Sequence, residues 1–264
     1  MLAEVNGVRL FTRRVGSGPL VVVLHGGPGA HHDYLLPQYD RLAERSSRTL
    51  FYYDQRGGGQ SPVPRDTPLG WREHVADLDA LRAHLGLDRL TLCGYSWGGL
   101  LALLYLIERP GCVERLALVS PAAPTREYRN QFDAEFARRA ASPEIRALRG
   151  DLTPFAVAVA PYFRIPRDAR RLTPFRVTAR AQQAVWDSLG DCDVLQRLRD
   201  MSALLALVPS LVLHGTFDPI PIAGSRELAT LLKTSVVELA TGHCPHVEDT
   251  PGFLAALDAF LPGT

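Results

Sequence analysis

Leu90-Thr91-Leu92-Cys93-Gly94-Tyr95-Ser96-Trp97-Gly98-Gly99-Leu100-Leu101 passes without a spacer from one kind of apolar pattern into another. Residues 90–93 read as a short strand buried on both faces, as in a parallel sheet. Residues 98–107 are apolar nearly all round, which suits a helix packed at the centre of such a sheet. At the junction stands Gly94-Tyr95-Ser96-Trp97-Gly98, a G-x-S-x-G pentapeptide in a strand-to-helix context. The turn is tight, so small residues must flank the serine. It pushes the Ser96 hydroxyl out above the sheet edge, next to the partial positive charge of a helix N-terminus. A nucleophile is expected there.

The same alternation runs outward in both directions. Residues 20–24, 49–53, 116–119, 211–213 and 235–239 are further strand-like runs. Residues 71–85 place Val75, Leu78, Leu81 and Leu85 three and four apart, the spacing of an amphipathic helix, and residues 253–260 form a short final helix. Asn6-Gly7 between two extended runs marks a hairpin. Alternating strands and helices imply an α/β fold with a mainly parallel sheet. Residues 122–207 break the alternation: they are rich in Arg, Ala and Pro and contain helical fragments at 128–141 and 178–189. We expect a mostly helical cap there, which divides the core into residues 1–121 and 208–264. It should lie over Ser96, with Phe155, Tyr162, Phe163 and Trp186 lining a substrate pocket, because it is inserted at the catalytic edge of the sheet.

A serine nucleophile needs a base and an orienting acid. His243, in Thr241-Gly242-His243-Cys244-Pro245, follows the last strand pattern, and His246 is its rival three residues on. Asp218, in His214-Gly215-Thr216-Phe217-Asp218-Pro219, directly follows the strand at 211–213. The order Ser96, Asp218, His243 is that of α/β-hydrolases and differs from the chymotrypsin and subtilisin orders. Two backbone N–H donors should form an oxyanion hole: Trp97, after the serine, and Gly27 in His25-Gly26-Gly27-Pro28-Gly29.

These residues resemble a particular family. The loop at 25–29, Asp54-Gln55-Arg56-Gly57-Gly58-Gly59-Gln60-Ser61, the elbow, and residues 242–251 are similar to the motifs of the proline iminopeptidases. His32-Asp33-Tyr34-Leu35-Leu36 resembles their tricorn-interacting aminopeptidase branch. The likeness covers roughly residues 5–121 and 207–261. It implies an α/β-hydrolase fold, a triad of Ser96, Asp218 and His243, an oxyanion hole of Gly27 and Trp97, and scaffold ion pairs at Asp54, Arg56 and Glu248. It also implies acids that hold a substrate amino group. Where the branch commonly has two glutamates, this sequence has Pro219 and Gln182. Glu127, Asp133, Glu135, Glu144, Asp151 and Asp187 are the cap acids that could replace them.

The expected function is a serine hydrolase working through an acyl-enzyme: an aminopeptidase releasing N-terminal proline or small residues, or a carboxylesterase or lactonase on neutral acyl substrates. A serine at the elbow argues against epoxide hydrolases and dehalogenases, which need a carboxylate there. A silent binding protein on this fold would usually lack a triad member. Composition is balanced, with a formal net charge of +1 over 264 residues, so the expected partner is a small molecule or short peptide, not nucleic acid or membrane. No metal cluster, phosphate loop or dinucleotide fingerprint is present, and no cofactor is expected. Cys93, Cys112, Cys192 and Cys244 match no zinc or redox spacing. With no signal-peptide pattern at the start, they read as reduced thiols of a cytoplasmic protein.

Overall fold

The computed structural model describes residues 1–201, 205 and 207–263. They form an eight-stranded sheet with the order β1-β2-β4-β3-β5-β6-β7-β8. The strands are β1 (Leu2–Val5), β2 (Val8–Gly16), β3 (Leu20–Leu24), β4 (Thr49–Tyr53), β5 (Leu90–Tyr95), β6 (Val113–Val119), β7 (Ser210–Gly215) and β8 (Val236–Leu239). β1 and β2 form the hairpin about Asn6-Gly7, with Val5 opposite Val8. β2 also runs antiparallel to β4, and every pairing from β4 to β8 is parallel. The sheet is therefore mainly parallel.

The strand pleat divides the core in two. Val22, Leu24, Leu92, Leu116, Leu118 and Val212 point to one face, where they pack with α2 (Trp71–His84) and α3 (Trp97–Glu108). Their neighbours Val21, Val23, Cys93, Ala117, Val119, Leu211 and Leu213 point to the other. There they meet Leu42 of α1 (Arg41–Arg45) and Phe253, Leu254 and Leu257 of the final helix, Thr250–Phe260. Both faces are covered, so strands and α3 had to be apolar on all sides; Trp97 to Leu106 are all buried. Each fully buried large side chain contributes about 1.5–3 kcal/mol.

Between β6 and β7 the described chain forms only helices and turns: α4 (Arg126–Ala140), α5 (Pro143–Ala147), α6 (Pro154–Val159), α7 (Ala179–Leu189) and α8 (Val194–Arg199). The Thr125 hydroxyl caps α4 by accepting from the Tyr128 N–H. This segment is tied to both layers. Val185, Leu189 and Leu198 join the α2–α3 cluster, while Ile145, Ala156 and Phe163 join the opposite one. The end of the expected cap includes residues 202–204 and 206, which lie outside the described residues. After β7 come α9 (Ile222–Leu231), which the sequence periodicity did not single out, then α10 (Pro245–Glu248) and α11, the final helix above. Among the described residues no helix is long and apolar enough to cross a membrane.

Candidate active site

Three loops at the carboxyl ends of β5, β7 and β8 meet at one point. Ser96 sits between β5 and α3 with φ 53° and ψ −119°, a backbone region costly for a side-chain-bearing residue. The elbow is held by close packing. A Cβ on Gly98 would run into the Leu24 carbonyl, so only glycine lets α3 approach β3 this closely. The Ser96 amide donates to Val119 O at 3.0 Å, tying the turn to β6.

His243 Nε2 lies 2.9 Å from Ser96 Oγ, and its Nδ1 lies 2.8 Å from Asp218 Oδ2. A carboxylate only accepts, so Nδ1 carries the proton and Nε2 is free to accept from the serine hydroxyl. The Asp218 carboxylate is fully buried. Burial alone pushes its pKa up, but the facing His243 and His214 and the Ile220 N–H, which donates to Oδ1 at 2.8 Å, outweigh that. The group is held below the usual carboxylate range. His214 lies with Nε2 3.1 Å from Ile220 O and Nδ1 2.9 Å from the Ser225 hydroxyl, and burial pushes its pKa down.

The base is also braced from behind. The Tyr162 ring stacks on His243 with centroids 4.9 Å apart, and Tyr162 O accepts the His243 amide at 2.7 Å. The Glu248 carboxylate accepts from the Gly242 N–H at 3.0 Å and from the Arg164 N–H at 2.9 Å, which fixes the loop carrying His243. His246 is in a different place. It is wholly buried among Tyr39, Tyr95 and Phe253, and neither ring nitrogen has a partner among the described residues.

Gly27 and Trp97 flank Ser96 in the cavity wall, and among the described residues no protein group accepts from either backbone N–H. The loop comes this close because Gly26 has no side chain: a Cβ there would lie 3.0 Å from the Ser96 Cβ. His25 anchors the loop. Its Nδ1 donates to Gly26 O at 2.7 Å, and its Nε2 accepts from the Gln55 N–H at 3.0 Å. Gln55 in turn accepts from the Trp97 indole at 2.7 Å. Of the ion pairs expected at Asp54, Arg56 and Glu248, the described residues show an arginine–carboxylate pair only at Arg56; Asp54 and Glu248 brace their loops by other hydrogen bonds. Asp54 takes the His32 ring at 2.7 Å and the Gln60 amide at 2.8 Å, and Arg56 grips the buried Asp77 with a two-pronged pair.

His25, His74 and His246 are all buried, and burial pushes their pKa values down to about 4, about 3 and about 3 respectively. In the unfolded chain they return to about 6.5, so below that pH the unfolded state binds protons that the folded state refuses. Their contribution is complete above about pH 6.5 and is lost progressively as the pH falls toward the folded-state values. The urea midpoint is therefore expected to be lower at about pH 5 than at about pH 7.5. An unchanged or higher midpoint at acid pH would rule this out.

A cavity of about 590 Å³ opens over Ser96. Its lining includes Gly27, Trp97, Tyr162, His243 and Ile220, together with Arg126, Arg129, Asn130, Phe132 and Asp133 of α4 and Gln182, Trp186 and Asp187 of α7. Tyr162 and Trp186 thus stand where the sequence placed them, but Phe155 and Phe163 do not. Tyr162 ends a short helical turn and Phe163 leaves it in an extended conformation: Tyr162 takes the site and Phe163 turns into the core, 2% exposed. Phe155 packs edge-on against Phe175 and borders a separate depression with Arg167 and Leu172.

Of the six cap acids, Asp133 and Asp187 line the cavity. Glu135 is engaged by Arg138 and Arg139, Asp151 by Arg167 and Glu127 by Gln131; Glu144 borders a different surface depression. Sequence reasoning missed Arg126, Arg129, Asn130 and Phe132 as wall residues. Arg126, Arg129 and Asn130 lie three and four residues apart on a polar face of the helix, while Phe132 belongs to an aromatic row with Tyr128 and Phe136.

A family described as having the alpha/beta hydrolase fold matches residues 19–250. Two curated relatives are similar over part of the chain. A proline iminopeptidase of Lactobacillus helveticus (strain DPC 4571) is 40% identical over 120 residues, covering 43% of this chain and 40% of the relative. One of Lactobacillus crispatus (strain ST1) is 44% identical over 115 residues, covering 42% and 39%. The matches thus span about two fifths of those relatives. Among solved structures, a proline iminopeptidase-related protein from Thermus thermophilus superposes with a TM-score of 0.77 at 24% identity, over 99% of this chain and 98% of that one. The enol-lactonase from Burkholderia xenovorans LB400 gives 0.75 at 24% identity, over 98% and 99%. At that identity the superpositions speak for the fold alone. With the motif order, the sheet topology and a family match over most of its length, the chain belongs to the alpha/beta hydrolase family.

Proposed function

We propose that the protein is a serine aminopeptidase that releases an N-terminal proline or small residue from short peptides through an acyl-enzyme. In this reading His243 takes the Ser96 hydroxyl proton as Oγ attacks the scissile carbonyl. The N–H groups of Gly27 and Trp97 hold the oxyanion, and His243 returns the proton to the leaving amine. Water then enters by the same route and frees the acyl group. Asp218 keeps His243 in the productive tautomer and stabilises its charged form. Phe132, Tyr162 and Trp186 offer apolar surface of the kind a pyrrolidine ring fills. We also read the protein as cytoplasmic, on its unpaired cysteines.

The choice of a peptidase rests on one observation: two carboxylates, Asp133 and Asp187, share the cavity with Ser96. A substrate ammonium entering a partly dry pocket needs such a partner. Asp133 makes no side-chain hydrogen bond among the described residues, whereas Asp187 already accepts from the Gln183 amide at 2.7 Å. Asp133 is thus the freer of the two. Similarity to proline iminopeptidases over part of the chain supports the same reading. Asp133→Asn is expected to raise KM for proline naphthylamide by roughly 10- to 100-fold relative to KM for a neutral acyl ester. Pro219 and Gln182, which stand where the resembled branch has glutamates, favour the second reading, a carboxylesterase or lactonase. Acyl esters cleaved faster than proline naphthylamide, with both KM values indifferent to Asp133→Asn, would establish it instead.

A further inference from the structure

The part of the cavity wall formed by α4 carries charge of both signs. Arg129 and Asp133 are four residues apart on α4 and both face the cavity. Arg126, the other arginine of the wall, is paired with Asp191. Arg129 has no carboxylate within salt-bridge distance among the described residues. Its Nη2 donates to Gly190 O at 2.7 Å, and its Nη1 is buried without a partner among the described residues. Burial, and then the neighbouring Arg126, hold its pKa below the usual arginine value. A guanidinium drawn half out of water without a counter-ion is costly unless an anion arrives to complete it.

We propose that Arg129 receives the free C-terminal carboxylate of the substrate, so that the enzyme cleaves dipeptides in preference to longer or C-terminally blocked peptides. This rests on the aminopeptidase reading above, in which Asp133 holds the α-amino group. The dimensions agree. Four residues of helix rise about 6 Å, and the two ends of an extended dipeptide lie at most about 7 Å apart. A dipeptide is therefore of the length to meet both charges, which line the same cavity as Ser96. The reaction balances with water alone. Ser96 Oγ bonds to the carbonyl carbon, the C–N bond breaks, and His243 passes the proton to the leaving amino acid. Water then hydrolyses the ester to give a second free amino acid. A longer peptide would carry its carboxylate beyond Arg129.

The test compares Pro-Ala with Pro-Ala-amide, with proline naphthylamide as a reference for the underlying activity. The wild-type kcat/KM is expected to be roughly 10- to 100-fold higher for the free acid, the range for a charge-assisted hydrogen bond. Arg129→Gln should bring that ratio close to unity. Arg129→Lys, which keeps charge but not the fork, should leave a reduced preference, and Glu127→Gln, on an exposed part of α4, should leave the ratio intact. A wild-type ratio near unity, or a preference that survives Arg129→Gln, overturns the proposal. The wild-type comparison decides the matter even if Arg129→Gln does not fold. Turnover of proline naphthylamide without carboxylate preference defeats this inference alone. Failure to release proline from any of the three compounds defeats the aminopeptidase reading, and this one with it.

Discussion

Ser96→Ala is expected to lower kcat/KM by about 10⁴-fold or more on any acyl substrate the protein turns over. The change removes one oxygen, whose partner is His243 Nε2 at 2.9 Å. Alanine meets the same backbone demand at φ 53° as serine does, so the elbow gains no new strain. The turn keeps its anchors, the Ser96 amide on Val119 O and the Ala122 amide on Ser96 O. The variant should therefore unfold at nearly the wild-type urea concentration while losing turnover. Covalent labelling by a fluorophosphonate should vanish with it. Near-wild-type turnover in a clean preparation would remove Ser96 from the mechanism and with it the proposed acyl-enzyme.

The second large effect is expected at Asp218. In serine protease triads, aspartate to asparagine costs about 10⁴-fold in kcat because the histidine is held in the wrong tautomer. The same logic applies to a contact of 2.8 Å between Asp218 Oδ2 and His243 Nδ1. An asparagine amide placed there would donate to Nδ1, leaving Nε2 protonated and unable to accept from Ser96. Asp218→Asn is thus expected to lose roughly 10³- to 10⁴-fold in kcat with little change in KM. Residues acting as a unit are not additive, so Ser96→Ala combined with Asp218→Asn should be hardly worse than Ser96→Ala alone. If Asp218→Asn retained more than about a tenth of wild-type kcat, a group other than this carboxylate would be orienting the base.

The elbow was legible in the sequence for a local reason. A strand buried on both faces, a tight turn and a helix buried on all sides each leave a mark within a few residues, and residues 90–107 carry all three in succession. Asp218 and His243 were legible because each follows directly on a strand run. The carboxyl ends of parallel strands lie on one edge, so chain order alone brings these residues to the same place as Ser96. Between His243 and His246 the sequence offered only a preference. The structure separates them by packing, since His246 is enclosed by Tyr39, Tyr95 and Phe253 while His243 is stacked under Tyr162 and bonded at both nitrogens.

The cavity wall shows where local reading stops. Helix α4 has no fully buried residue, and beside its aromatic row of Tyr128, Phe132 and Phe136 the residues Arg129 and Asp133 resemble any solvated pair four residues apart. Tyr162 and Phe163 are adjacent aromatics that no composition argument can tell apart. The backbone leaves a helical turn between them, and one faces the site while the other enters the core. The sequence by itself determined the α/β alternation, the strand ends and the residues that stand at them, because periodicity and turn chemistry act over a few residues. Which side chains face the substrate was decided only by the tertiary structure, because the orientation of a helix against its neighbours depends on contacts between segments far apart in the chain.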